Sequence, residues 1–203
     1  CDQDLSLINN QIPKIRQFKI PPASSNHYLK YTKYLIEKLK IDLFVPTIDE
    51  EILKIFSRKN KQIKNIFCPK KEISLIFLDK YKTSIFLKKN KYENLNTIIV
   101  KNKKNFPHHK KIIVKPRFGR GSAKIHVISN YLQYKGYLEL YDLKPKDVIL
   151  QKFIKGDEFT IFVDCNNKGD LKAIIPIKVL NKKGITLVGE TSNNKVIIDF
   201  VKK

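Results

Sequence analysis

Methionine is absent from these 203 residues, acids number 19 against 41 lysines and arginines, and only three cysteines occur. Each scarcity closes off a class of protein. Cys1, Cys68 and Cys165 are odd in number and widely spaced, with no Cys-x-x-Cys among them. Neither a disulfide framework nor a zinc site fits that pattern, so a reducing, cytoplasmic setting is expected and no metal ligand is assigned. No apolar run approaches the ~20 residues that cross a bilayer, which argues against a membrane protein. The opening CDQDLSLINN lacks the basic-then-apolar order of a signal peptide. The first residue is not methionine either, which suggests that the start has been removed or that the chain is an excerpt.

What is present reads as a folded protein. The hydrophobic fraction of 42% is ordinary for a globular chain, and the length allows one large domain or two small ones. The formal charge of +22 raises the question of a nucleic-acid or anionic partner. The lysines are spread along the whole chain and rise together with isoleucine and asparagine. That fits the codon bias of an AT-rich genome better than a clustered binding face, so a nucleic-acid partner is not the expected one.

Along the first part, strands and helices alternate. Residues 24–40 read as a helix, with Ser24 or Ser25 as cap and Tyr28, Tyr31, Leu35 and Leu39 as its apolar stripe. IDLFVPT (41–47) reads as a short buried parallel strand. Residues 49–59 read as a helix capped by Asp49, with Glu50 and Glu51 in its first turn, where acids complement the macrodipole. KNIFC (64–68) reads as a second strand. A helix over 79–90 starts at Asp79. The style then changes. TIIV (97–100), KIIVKP (111–116), KIHVIS (124–129), VILQKFI (148–154), EFTIFVD (158–164) and AIIPIKV (173–179) read as strands. Turn signals at 155–157 and 166–170 separate the later ones. A boundary is expected near residues 69–80.

The stretch with chemical content is IIVKPRFGRGSAKIHVIS, residues 112–129. A strand ends in Lys115, a Gly-containing loop follows, and a second strand returns. Backbone N–H groups beside Gly119 and Gly121 can close on phosphate oxygens because no Cβ blocks the approach. Lys115, Arg117 and Arg120 can add charge-assisted hydrogen bonds. Taken alone, the same residues also suit a hairpin turn with solvated bases. About thirty residues on, VILQKFIKGDEFTIFVD places Gln151 on a strand, Gly156 in a turn and Glu158 at the start of the next strand. Singly, Gln151 and Glu158 also read as exposed polar side chains. His108 and His109 read as a surface loop, and His126 as structural.

In this order, the Lys-Pro-Arg strand end, the Gly-Arg-Gly-Ser loop and the Gln-x-x-x-x-Gly-x-Glu strand pair resemble the ATP-grasp superfamily. The branch they are most similar to is that of the carbamoyl-phosphate synthase large subunit. IDLFVPTIDEE resembles the end of that family's preceding Rossmann-like domain, and LDKYKTSIFLKKN (78–90) its opening helix. The resemblance runs from about Asp2 to about Glu190. It implies an α/β (α+β) chain: a partial Rossmann-like pre-ATP-grasp domain over 1–75, lacking its first strand, then an incomplete ATP-grasp fold with antiparallel sheets over 76–203.

The resemblance also implies roles. Lys80 matches a position that reaches the nucleotide phosphates in some members. Lys115 matches the strand-end cation that grips the phosphates beside the adenine. Gly119, Arg120, Gly121 and Ser122 match the loop that closes over them. Gln151 matches the residue whose side chain meets the adenine amino group, and the backbone of Lys152, Phe153 and Ile154 would line the adenine edge. Glu158 matches the acid that holds the ribose hydroxyls. Lys178 lies where relatives place basic or polar residues near the reacting acid, and with Arg120 it is the catalytic candidate; it also reads as a plain surface lysine. ATP is the implied cofactor and a small carboxylate the implied substrate. Magnesium is implied too, with ligands expected outside this chain, because the chain ends before the family's acidic metal motif. Lys124 sits where relatives often have glycine, which would stiffen the loop.

The implied activity is the ATP-binding part of a ligase that activates a carboxylate as an acylphosphate for an amine or other nucleophile. Alone, the chain is expected to be a fragment, a split subunit or a decayed copy, completed by a companion chain or a homo-oligomer. The alternatives are a non-catalytic nucleotide- or partner-binding remnant of such an enzyme and a basic nucleic-acid binder.

Overall fold

The computed structural model describes residues 16–57, 63, 65–92, 96–166 and 168–203. Cys1, the expected resemblance before residue 16, the helix end at residues 58–59, the strand start at Lys64 and the turn residue Asn167 lie outside the described residues. The chain packs as two compact units, Cys1–Asn94 and Leu95–Lys203. No helix among the described residues is long and apolar enough to cross a membrane.

The first unit contains helices α1 (Tyr28–Lys38), α2 (Asp49–Ile55), α3 (Lys71–Phe77) and α4 (Lys80–Lys89). In α1 the buried positions are Tyr28, Thr32 and Leu35, a helical repeat. The residue at its cap is His27, which makes no side-chain cap hydrogen bond. The expected serine cap is therefore corrected: the Ser25 hydroxyl instead accepts from the His27 N–H at 3.1 Å, in the turn before the helix. Tyr28 donates to Glu51 Oε1 at 2.8 Å, and Glu51 Oε2 accepts from the Thr47 N–H at 2.9 Å. One carboxylate thus ties α1 to α2 and satisfies an amide before α2. Burial, with Glu51 beside it, holds the Tyr28 hydroxyl well above its ordinary pKa. Asp49 is the first residue of α2, with Ile48 at the cap position.

The two expected parallel strands meet at one bridge, Phe44 to Ile66, with Phe44 N–H to Asn65 O at 3.0 Å and Phe67 N–H to Phe44 O at 2.9 Å. Pro46 is buried, but Ile41, Leu43 and Val45 are exposed. The fully buried strand expected over 41–47 is corrected to a one-sided contact, since burial on both faces needs a layer on each. Helix α4 begins as its sequence requires. Asp79 is 1% exposed, and its carboxylate accepts from the N–H groups of Tyr81 at 3.0 Å and Lys82 at 3.4 Å. Phe77 and Phe86 stack edge to face across α3 and α4, with ring centroids 5.7 Å apart.

The second unit holds two three-stranded antiparallel sheets. The first has the order β2 (His126–Ile128), β1 (Ile112–Pro116), β3 (Val148–Lys152). Helix α5 (Tyr131–Leu140) covers one face, and Val100, Ile112, Val114, Ile128, Tyr134, Tyr137, Val148 and Leu150 form the core there. Asn130 caps α5 by accepting from the Gln133 N–H at 2.9 Å. Tyr134 donates to Val100 O at 3.1 Å and Tyr137 to Lys124 O at 2.8 Å, so both buried hydroxyls are satisfied. The TIIV segment adds only an antiparallel bridge, Ile98 to Leu150, at the other edge of β3. The second sheet has the order β4 (Phe159–Cys165), β5 (Leu171–Lys183), β6 (Ile185–Thr191), followed by helix α6 (Lys195–Val201). His108 and His109 are exposed, and His126 bonds the Tyr141 hydroxyl at 2.7 Å.

Candidate nucleotide site

The register of the first sheet sorts its side chains. Ile113 pairs with Gln151 and Lys115 with Ile149, while Ile112, Val114, Val148 and Leu150 belong to the core under α5. Paired residues of an antiparallel ladder share a face, and neighbours along a strand alternate. Lys115 and Gln151 therefore share the face turned away from α5, with apolar Ile113 and Ile149 between them.

Gln151 carries the most specific signal. Its Nε2 donates to Thr97 Oγ1 at 2.7 Å, while its buried Oε1 has no hydrogen-bond partner among the described residues. An unmet buried acceptor costs about 1–3 kcal/mol. A donor arriving at this strand would remove that cost, and an exocyclic amino group is such a donor. Phe153 follows, its N–H bonded to Lys111 O at 3.2 Å, so the chain continues from β3 in extended pairing beyond the last ladder residue.

The loop after Lys115 joins antiparallel β1 and β2, so the hairpin and phosphate-loop readings describe one object. Gly119, Gly121, Ser122 and Lys124 all have positive φ, at 106°, 65°, 52° and 57°. Positive-φ residues interspersed along a short loop are the kind of backbone from which an anion nest can be built. Ser122 and Lys124 bear the Cβ strain of that conformation, roughly 1–2 kcal/mol each. Lys124 is offset in part: its carbonyl accepts from Tyr137, and its ammonium lies 5.1 Å from the Tyr141 ring centroid. The loop rests on the β5–β6 turn, where a Cβ added at Gly184 would lie 2.6 Å from the Gly121 carbonyl oxygen.

Arg117 departs from the expected role. Its guanidinium donates to Lys146 O at 2.9 Å and its N–H to Asp147 O at 2.9 Å. It braces the end of β1 against the turn before β3 instead of facing a phosphate.

Glu158 immediately precedes β4. Its carbonyl accepts from the Val179 N–H at 2.8 Å, and its carboxylate is paired with Lys182 of β5. Lys178 is paired with Asp157 at 2.7 Å. The hydrogen bond to Asp157 and its charge raise the Lys178 pKa, so this lysine is a stable cation. Both carboxylates preceding β4 are thus held by lysines four residues apart on β5. Lys80 lies in the first unit as the first residue of α4. Burial lowers its pKa, with Asp49 and Asp79 pulling it back up. Among the described residues no group of three or more His, Cys, Asp or Glu could hold a metal ion.

The structure thus places Lys115, Gly119, Arg120, Gly121, Ser122, Gln151, Lys152, Phe153, Ile154, Glu158 and Lys178 in one unit, and Lys80 in the other. Sequence reasoning missed Thr97, Lys182, Asp157 and Gly184. Lys182 could have been found from the second lysine four places beyond Lys178. Thr97 lies 54 residues from Gln151 and carries no local signal.

Residues 77–197 match the family model described as the ATP-grasp domain. No curated protein matches the sequence. Among solved structures, the chain is similar to an L-amino acid ligase from Bacillus licheniformis, with TM-score 0.61, 13% identity, and coverage of 91% of this chain and 46% of that one. It is similar to the biotin carboxylase domain of a 2-oxoglutarate carboxylase from Hydrogenobacter thermophilus, solved with MgADP, ADP and bicarbonate, with TM-score 0.61, 16% identity, and coverage of 85% and 42%. A D-alanine–D-alanine ligase from Bacillus anthracis complexed with ATP gives TM-score 0.53, 19% identity, and coverage of 83% and 58%. At these identities the likeness is one of fold. The chain spans roughly half the length of these structures.

Proposed function

The chain belongs to the ATP-grasp domain family, and on that premise we propose that it is the ATP-binding portion of a ligase that activates a carboxylate for attack by an amine or other nucleophile. The finer assignment, to a carbamoyl-phosphate-synthase-like branch with the ATP-grasp part opening at α4 and working in the cytoplasm, is part of the same proposal. The observation that carries it is the unmet Gln151 Oε1 on the strand face it shares with Lys115.

In this reading the adenine lies beside half-buried Ile113 on the face turned away from α5, its amino group donating to Gln151 Oε1. The backbone of Lys152, Phe153 and Ile154 lines its edge, and Glu158 accepts from the ribose hydroxyls. Lys115 and the N–H groups of the Gly119–Ser122 loop hold the phosphates, with Arg120 on the loop supplying positive charge where it develops. A carboxylate oxygen attacks the terminal phosphorus and ADP leaves; the nucleophile then attacks the acyl carbon of the acylphosphate, and inorganic phosphate leaves. Lys178, kept cationic by Asp157, stabilises the reacting carboxylate in this reading. Magnesium would neutralise phosphate charge, with ligands from another chain or from residues not described.

A second reading, a nucleotide-binding subunit without catalysis, draws on the Glu158–Lys182 and Lys178–Asp157 pairs, which occupy both side chains internally. Thermal stability measured against ATP and magnesium tests the first step common to both. Nucleotide is expected to stabilise the parent, with the response lost in Lys115→Ala and Glu158→Ala. Equal responses in all three proteins would refute the site. Carboxylate-dependent ADP release on adding a companion chain separates the two readings.

A further inference from the structure

At the far end of the first sheet from the Gly-rich loop lies a hollow of about 440 Å³ lined by His109, Lys110, Lys111, Lys152, Phe153 and Lys155. The lining holds four lysines and no carboxylate. With 41 lysines and arginines in 203 residues, a six-residue lining drawn at random would hold about one basic residue, so the general basicity of the chain does not account for it. Its volume lies in the range of small-molecule sites, about 300–1,000 Å³.

The placement is fixed by backbone. Lys152 pairs with Ile112 in the ladder, and Phe153 N–H bonds Lys111 O at 3.2 Å, so Lys111, Lys152 and Phe153 are held across adjoining strands. The Lys111 ammonium sits 5.8 Å from the Phe153 ring centroid, which turns it toward the hollow's aromatic wall. The nearest acids in sequence, Asp157 and Glu158, are already paired with Lys178 and Lys182. Like charges gathered in a concave wall repel one another and focus a positive potential. A multiply charged anion relieves both effects.

We propose that this hollow is a second anion site, for a small compound bearing several phosphate groups, separate from the nucleotide clamp and contacted through side chains that the clamp does not use. The hollow meets the clamp only through Lys152 and Phe153, whose backbone the proposed function assigns to the adenine edge. The proposal rests on that reading only for the distinctness of the two sites. Occupancy of one would bear on the other through those two residues.

The test uses inorganic tripolyphosphate as probe, with calorimetric titration of the full chain and of three variants, each checked for folding by circular dichroism. Lys110→Glu with Lys155→Glu is expected to weaken at least one tripolyphosphate site tenfold or more while leaving the ATP-induced thermal shift intact. Lys168→Glu with Lys172→Glu makes the same charge change on the β4–β5 side and should alter affinity less than twofold. Lys115→Ala should retain the hollow's site. Equal weakening by both charge-reversal pairs would show diffuse attraction and overturn the proposal. So would loss of all tripolyphosphate binding in Lys115→Ala, or unchanged affinity in the Lys110/Lys155 pair. Tighter binding of a twelve-residue oligothymidylate, with the same variant sensitivity, would assign the hollow to nucleic acid and overturn the small-anion proposal. Failure of the nucleotide reading appears separately, as an absent ATP shift in the parent.

Discussion

Replacing Gln151 by leucine separates two effects that most site substitutions confound. In the free protein the change removes the 2.7 Å bond to Thr97, a neutral hydrogen bond contributing about 0.5–1.5 kcal/mol. It also removes the buried Oε1 that has no partner, which costs about 1–3 kcal/mol. The balance runs from about −0.5 to about 2.5 kcal/mol, centred on about 1 kcal/mol in favour of the variant. For a chain of this size that is a rise in Tm of up to several degrees, at roughly 2–4 °C per kcal/mol. With ATP the sign reverses. The adenine amino group loses its acceptor, a loss of about 1–1.5 kcal/mol and so roughly tenfold in Kd. Inosine triphosphate, whose six-position oxygen is not a donor, should bind the parent about tenfold more weakly than ATP and bind the variant equally well. Thermal-shift titrations with both nucleotides read the whole pattern. A variant that melts lower when free, yet keeps its preference for ATP, refutes the reasoning.

Further outcomes are expected. Gly184→Ala puts a Cβ 2.6 Å from Gly121 O at a φ of 75°, so it should lower Tm and weaken nucleotide binding together, read in one thermal-shift series. Lys124→Gly removes Cβ strain at a φ of 57° but also the ammonium over Tyr141; urea unfolding should show a change within about 1 kcal/mol, stabilising in sign. Burial, with neighbouring tyrosines adding to it, holds Tyr134 and Tyr137 at a pKa of about 12, above the ordinary value of about 10. From about pH 10 to 12 the unfolded chain sheds protons that the folded one keeps, so stability falls as pH rises through that window and is fully present below it. Tyr134→Phe should flatten part of that fall and cost about 1 kcal/mol at neutral pH, because Val100 O loses its donor; urea titrations at pH 8 and pH 11 measure both.

Elements with a strong local pattern were legible in the sequence. Asp79 before LysTyrLys announced α4, and the β-branched runs of β1, β3 and β4 lie within a residue or two of expectation. Helix α5 was not anticipated, because Gly136 interrupts it and its tyrosines favour strands as readily as helices; Asn130 and the Tyr131, Tyr134, Tyr137 spacing were the available signal. Strand β6 was missed because it follows Gly184 directly and contains Gly189. At the site, residue types and order pointed to Lys115, the loop, Gln151 and Glu158. What order could not reveal was which partners hold them. The bond from Gln151 to Thr97 and the pairing of Glu158 with Lys182 depend on strands brought together only by the fold.

The contact of Gly121 with Gly184 has a kinetic meaning. Where two glycines meet, neither adds side-chain surface to the contact, so this contact by itself does little to restrain the loop. If phosphates bind beneath it, arrival and departure pass through the same opening motion. Bulkier residues at either position would then change the rates of arrival and departure as well as the affinity, and pre-steady-state traces would resolve the two rates that a Kd combines.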